Sequence, residues 1–356
     1  VTQPLQENYG GYLQNYALQC ILRKLGHEPI TIDYGNRISV WRFIISSIRS
    51  CLFYFIPNRR RPFASFKETR SNIRKEVFNS FIEKNITKTE STNKYYSSFI
   101  KKYNIEALIT GSDQVWRPLY NRNLEDMFLR FAQEAKIIKI SYAASFGTDK
   151  WEYTPYQTEE CRRLAKALNA VSVRESSGVD LCKQYLNIDA SVVLDPTLLL
   201  TSQDYDSLCN HISSERTSFI AAYILDQNEA TLELLNSISQ IRNLELKVFR
   251  AEKESVLSVE EWLAVFRDAQ YVVTDSFHGT IFSIIFNKQF VCLGNKTRGN
   301  ARFDSLLTMF GLQSRWIENS NDVYDLLSSP INWSELNPIL EAKRKESVGF
   351  LVNALK

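Results

Sequence analysis

The chain has 356 residues, room for about two domains. With 44% hydrophobic and 23% charged residues it can build real cores, which excludes wholesale disorder. Lys and Arg number 43 against 40 acids, a formal charge of +3, which argues against a surface built throughout to coat nucleic acid.

The opening residues read as a Gly turn, Asn8-Tyr9-Gly10-Gly11, followed by a helix with Leu13, Ala17, Ile21 and Leu25 at helical spacing and a strand at Ile30–Ile32. From Tyr34 to Lys67 there are seven bases and no acid. Within that run Trp41, Ile45, Ile48, Leu52 and Phe55 form an apolar stripe before Pro57 and Arg59-Arg60-Arg61, so an amphipathic basic insert is expected at about 38–66. Such a helix would bring the chain to an anionic lipid surface, or would pack on the core with a solvated basic edge. Short apolar runs then follow one another, each stopping at small or polar residues: Ala107–Thr110 before Gly111-Ser112-Asp113, Ile137–Ala143 before Ala144–Gly147, Ala170–Val173 before Arg174-Glu175, and Val192–Leu194 before Asp195-Pro196. This is the pattern of a buried parallel sheet with a site along its carboxyl edge.

The polar stretch Thr201–Thr217 reads as a linker. The βα pattern then restarts with a strand at Phe219–Leu225, a helix at Asn228–Arg242, a strand at Leu244–Phe249 and a capping box opening at Ser258. A strand at Tyr271–Thr274, a helix at Thr280–Phe286, a strand at Phe290–Leu293 and a helix at Arg302–Phe310 complete the second half. The last 20 residues form an amphipathic helix. The expected fold is α/β: a Rossmann-type domain over 1–200, a second over 217–330, a cleft between them, and a helix at 334–356 crossing back to the first domain.

Six cysteines, at 20, 51, 161, 182, 209 and 292, form no C-x-x-C pair, so free thiols in a reducing cytosol are expected. No stretch reaches 18 uncharged apolar residues; a chain that starts at Val1 with no signal peptide and short of a few natural residues is expected. No Walker loop, G-x-G-x-x-G or metal-binding set emerges.

The chemistry-bearing residues lie at the strand ends. Asp275-Ser276-Phe277-His278-Gly279 joins a strand to a helix, so backbone N–H groups and the helix dipole point into the cleft, with His278 as an added donor. Arg174, at another strand end, offers a planar fork for carboxylate or phosphate, or pairs with Glu175 between the domains. Ser112, Asp113 and Gln114 follow a strand beside Trp116, an aromatic suited to stacking on a sugar face. Arg298 and Arg302, around Asn300, form a basic helix start, and the loop from Asn8 to Gln14 supplies amides and Tyr12.

Together these residues resemble the polysaccharide pyruvyl transferase family. The resemblance is carried by Asn8-Tyr9-Gly10-Gly11-Tyr12-Leu13-Gln14, Gly111–Trp116, Ser141–Gly147, Ser172–Glu175, Val193–Thr197 and Thr274–Gly279, in the family's order. It implies a GT-B-like pair of Rossmann-type domains. It also implies transfer of pyruvate from phosphoenolpyruvate onto two hydroxyls of a sugar, a galactose-type residue of a lipid-linked oligosaccharide, giving a ketal and phosphate in capsular or exopolysaccharide synthesis. The donor is a substrate, and no cofactor is implied. Donor-binding positions of the family match Arg174 and His278; Ser276, Gly279, Arg298, Asn300 and Arg302 are expected beside them. Where many members have Arg-Leu-His this chain has Ser276-Phe277-His278, so the missing arginine is expected to be replaced by Arg298 or Arg302. Asp113 is the candidate base, with His278 and Arg174 completing the catalytic set; Glu175, Asp195 and Asp275 are the possible acids. Tyr12, Ser112, Asp113, Gln114, Trp116 and Phe146 are the expected acceptor contacts. A cytoplasmic protein, peripheral at the inner face of the plasma membrane, follows. A nucleotide-sugar glycosyltransferase of the same architecture and a non-catalytic carbohydrate-binding scaffold of polysaccharide assembly are the competing readings.

Overall fold

The computed structural model of the chain describes residues 1–5, 8–34, 68–92, 94–121, 123–213, 218–249, 256–294, 300–317 and 323–356. The expected basic insert at 38–66 therefore lies outside the described residues up to the start of a helix at Glu68. Two parallel sheets organise the molecule. The first runs β1 (Ala107–Thr110), β2 (Ile138–Ala144), β3 (Ala170–Val173) and β4 (Ser191–Val192) in that spatial order. The second comprises β5 (Phe219–Tyr223), β6 (Glu245–Phe249), β7 (Tyr271–Thr274), β8 (Gln289–Leu293) and β9 (Trp316–Ile317), in the order β6-β5-β7-β8-β9. Every neighbouring pair in both sheets is parallel. β5 is buried at all five positions and β2 at six of seven, as expected of strands covered on both faces.

The helices used below are α1 (Tyr9–Lys24), α2 (Glu68–Asn85), α3 (Ser98–Lys102), α4 (Pro155–Ala165), α5 (Ser176–Leu181), α6 (Ser202–Cys209), α7 (Glu229–Arg242), α8 (Val259–Asp268), α9 (Phe277–Ile285), α10 (Ala301–Met309), α11 (Val323–Ser328) and α12 (Trp333–Ala354). Their starts are written in the sequence. Thr154 with Gln157, Thr201 with Asp204 and Ser258 with Glu261 each form a reciprocal capping box at α4, α6 and α8. Helix α9 is buried at every position, so it runs through the interior rather than along the surface.

Several local expectations are corrected. The stretch after Leu200 is not a plain linker, because the Thr201 capping box starts α6 there. Thr31 and Tyr34 make single parallel bridges, to Lys88 and Thr92, in place of a strand at Ile30–Ile32. Tyr9, Gly10 and Gly11 form the first turn of α1 rather than a separate turn before it. Helix α9 opens at Phe277, three residues earlier than expected, because Ser276 caps it by accepting from the Gly279 N–H at 3.3 Å.

Contacts join the two halves. At the start of α1, Tyr9 stacks on Trp262 of α8 with centroids 5.1 Å apart and donates its hydroxyl to the Leu257 carbonyl at 2.7 Å. The Ser176 N–H, at the start of α5, donates to Ser305 Oγ on α10 at 3.1 Å. Helix α12 returns to the first sheet: Arg344 donates to the carbonyls of Leu198 and Leu200 at 2.6 and 2.8 Å, and Ser347 Oγ accepts from the Leu194 N–H at 2.9 Å. Two parallel α/β sheets facing each other, with a terminal helix crossing back, constitute a GT-B-like α/β fold.

Candidate functional site

The carboxyl ends of β1, β2, β3 and β4 meet the β7–α9 junction and the start of α1, and the charged residues of the cleft collect there. Arg174 leaves the end of β3, where its N–H is held by the Ala144 carbonyl at 3.1 Å. Its side chain is buried. One terminal nitrogen donates to Asp195 Oδ2 at 2.6 Å and the other reaches Asp113 Oδ1 at 3.3 Å, while Nε is buried without a hydrogen-bond partner. The guanidinium lies 4.6 Å from the ring centre of Phe277 on α9, so the first domain's arginine rests on the second domain's aromatic face.

Asp195 is the hub. It caps the short turn Pro196–Leu199, with Oδ1 accepting from the N–H and hydroxyl of Thr197 at 3.0 and 2.6 Å. Its Oδ2 accepts from Arg174 and from Ser112 Oγ at 3.4 Å, and lies 3.9 Å from His278 Nε2. Asp113 stands in the left-handed region, φ 76°, a conformation Asp tolerates better than most residues. Burial pushes its carboxyl up, but Arg174, Arg302 and the Gln114 N–H together pull it below the ordinary value, so it is ionised at neutral pH.

His278 lies in the first turn of α9. Burial lowers its pKa to about 4, against the pull of Asp195 and Asp113, so the ring is neutral at pH 7. Nε2 lies 2.8 Å from the amide nitrogen of Gln14 on α1. Gly10, one turn earlier on the same face, leaves the space that the ring fills: a Cβ there would come within 2.1 Å of Nδ1. Gly279 has a packing reason too, since a Cβ would come within 2.3 Å of Thr274 Oγ1. Arg302, on α10, is buried with its guanidinium 5.3 Å from the same Phe277 ring, and burial together with Arg174 lowers its pKa to about 10. Arg174, Arg302, His278, Asp113 and Asp195 thus come together from both domains.

Other expected residues have different places. Trp116 offers no face to a sugar: it is fully buried, stacked on Phe128 at 4.6 Å, with its N–H on the Met127 carbonyl. Phe146 is buried beside it, with ring centres 5.4 Å apart. Both are core residues, which corrects the expectation of acceptor stacking. Gln114 accepts from Arg117 at 3.2 Å and packs over Gly147. Ser112 bonds the Ala143 carbonyl as well as Asp195. Tyr12 is buried against Phe78, and with Asn8, Gly11 and Asp113 it lines a small recess of about 20 Å³ on the α1 side of the site. Asn300 precedes α10 without capping it, its Oδ1 buried and unbonded, and Arg298 lies outside the described residues.

The possible acids separate as well. Asp275 takes the N–H groups of Leu225 and Asp226 at 2.7 and 2.9 Å and so ties β7 to the end of β5, the point where the second sheet's strand order reverses. Glu175 Oε1 accepts from Ser145 Oγ, the Phe146 N–H and the Gly147 N–H, fixing the loop after β2. Burial raises its pKa, and Oε2 is buried without a partner. Gln14 and Phe277 were not singled out for roles by sequence reading. The four-residue spacing of Gly10 and Gln14 was a usable signal for Gln14, because it puts both on one face of α1.

Among the described residues no helix is long and apolar enough to cross a membrane. The family model for polysaccharide pyruvyl transferase matches residues 8–297. No curated protein matches the chain. Similar solved structures include UDP-GlcNAc 2-epimerase from Methanocaldococcus jannaschii, at 12% identity over 89% of each chain with a TM-score of 0.47. The Neisseria meningitidis UDP-GlcNAc 2-epimerase bound to UDP-GlcNAc is similar at 10% identity, covering 98% of this chain and 97% of that one, TM-score 0.46. An O-GlcNAc transferase mutant from Thermobaculum terrenum is similar at 11% identity over 99% of this chain and 69% of that one, TM-score 0.38.

Proposed function

The chain belongs to the polysaccharide pyruvyl transferase family, and on that premise we propose that it moves pyruvate from phosphoenolpyruvate onto two hydroxyls of a sugar. The observation that carries this reading is the meeting of two buried guanidinium groups, Arg174 and Arg302, beside His278 at the ends of both sheets. Fixed cations in a water-poor site hold a small ligand bearing phosphate and carboxylate, and they stabilise the phosphate as it leaves. Arg302 stands in for the arginine that Ser276 lacks.

In the reaction one acceptor hydroxyl adds to the enol carbon while its methylene carbon gains a proton, phosphate departs, and the second hydroxyl closes the ketal. Of the two hydroxyl protons one ends on the new methyl group and the other on phosphate. Asp113, ionised and lining the recess beside Tyr12, orients the incoming diol. Asp113 can also take up a hydroxyl proton, and Glu175, whose pKa burial raises, is the carboxyl best suited to proton donation. A lipid-linked acceptor fits the basic stretch at 38–66, which would hold the enzyme at an anionic membrane surface.

Phosphate release tests the proposal. With phosphoenolpyruvate and p-nitrophenyl β-galactoside, phosphate should appear only when both are present, and UDP-galactose should not be consumed. Turnover of the nucleotide sugar in place of phosphoenolpyruvate would assign the chain to glycosyl transfer, and binding of the galactoside without turnover of either donor would leave a carbohydrate-binding role.

A further inference from the structure

Gln14 of α1 meets His278 of α9 across the boundary between the halves, 2.8 Å from amide nitrogen to Nε2, both side chains buried. An amide –NH₂ can only donate. With the amide in this orientation Nε2 accepts, which puts the neutral ring's single proton on Nδ1, the edge turned toward Gly10. The other end of the same amide, Oε1, is buried with no hydrogen bond. A protonated Nε2 in this place would turn its N–H against the –NH₂. Rotating the amide end for end would bring the unmet Oε1 to it instead, satisfying both groups. The charged groups around the ring are Asp195 and Asp113, which favour a proton, and Arg174 and Arg302, which oppose it. Phe277, edge-on to the ring, and Gly10 contribute no charge.

We propose that Gln14 is a positioning residue that follows the protonation of His278: its –NH₂ donates to the neutral ring in the free protein, and its Oε1 accepts from the imidazolium once an anion occupies the cluster. The added proton comes from solvent. The anion supplies the negative charge that outweighs Arg174 and Arg302, so binding and protonation reinforce each other. The switching half rests on the donor reading above; the tautomer half does not.

The test is long-range ¹H–¹⁵N correlation on the labelled full chain. It has three histidines, so His27→Gln and His211→Gln assign the His278 signals. Free wild type at pH 7 should show the Nδ1–H tautomer. Saturating phosphoenolpyruvate should protonate both nitrogens, and inorganic phosphate should do so at higher concentration. Gln14→Glu, which can accept but not donate, should strengthen proton binding at His278 by about tenfold or more and move the basic limb of the pH–rate profile upward. Gln14→Met should erase the tautomer preference and weaken phosphoenolpyruvate binding. An Nε2–H tautomer in free wild type, or unchanged His278 titration in folded Gln14→Glu, overturns the proposal. If Gln14→Glu does not fold, the wild-type tautomer and the Gln14→Met spectrum decide it. A ring that stays neutral while calorimetry shows phosphoenolpyruvate bound overturns the switching half. Absence of phosphoenolpyruvate binding overturns the donor reading, and the free-protein spectrum still judges Gln14.

Discussion

Gly10 and His278, 268 positions apart, share one space: a Cβ on Gly10 would lie 2.1 Å from Nδ1 of the imidazole. Glycine is a poorer helix former than alanine, by up to about 1 kcal/mol, so its presence in the first turn of α1 has to be explained by what it accommodates. Gly10→Ala is expected to gain no stability despite better helix propensity, and to displace His278. Thermal melting together with initial rates checks this: activity should fall at least tenfold. A stabilised variant with full activity would mean that the ring can move at no cost.

Arg174 holds two carboxylates, and that makes its replacements unequal. Arg174→Ala leaves Asp195 and Asp113 buried without their main cation, a loss of about 3–5 kcal/mol of stability. Arg174→Lys keeps one charge but cannot span both carboxylates. The lysine variant should therefore fold and lose roughly 10- to 150-fold in donor use, the scale of about 1.5–3 kcal/mol for a charge-assisted hydrogen bond. Denaturant melts separate the stability loss from the catalytic one.

Arg302 and Arg174 contact the same Phe277 ring from different domains. If Arg302 replaces the arginine missing at Ser276, Arg302→Ala should raise the KM for phosphoenolpyruvate by roughly 10-fold or more. Relieving Arg174 of a like charge should at the same time spare stability. Ser276→Arg should not rescue it, because it removes the α9 cap, worth about 1 kcal/mol, from a buried position. Rescue would show that Arg302 has no special place.

The pH dependence of stability follows from His278. Its folded pKa of about 4 lies below the ordinary 6.5, so between these values the unfolded chain holds a proton that the native one does not. Stability from this group is complete above pH 6.5 and is lost as pH falls toward 4, on the order of 3 kcal/mol at about 1.4 kcal/mol per unit. Glu175, with a raised pKa, acts with opposite sign: its destabilisation is relieved as pH falls through its folded value. Melting temperatures from pH 4 to 7 should fall on the acid side in wild type and fall less steeply in His278→Gln.

Trp116 tests the correction to the sequence reading. Its ring is stacked on Phe128 in the core, so Trp116→Ala should cost about 3–5 kcal/mol of stability. A variant that melts like wild type but shows weak acceptor binding would return Trp116 to the acceptor site.

The sequence alone determined the elements whose causes are local. Continuous apolar runs set β1, β2, β3, β5 and β7, and the Ser258 capping box set the start of α8, because burial on both faces and end-capping are written in adjacent residues. It also placed Arg174 and His278 at strand ends. What it could not decide was which side chains face each other over long separations. The aromatic of Gly111–Trp116 is one case: local spacing does not say whether a ring at a strand end turns to the cleft or to the core, and packing against Phe128 turns it inward. The α6 capping box was present at Thr201 and Asp204, yet the polar composition around it hid a helix of eight residues. The pairing of Arg174 with Asp195 and Asp113, the shared Phe277 face and the Gln14–His278 contact join α1, the first sheet and α9. Only tertiary packing brings these segments together, since a hydrogen bond acts over about 3 Å and carries no mark in the chain between its partners.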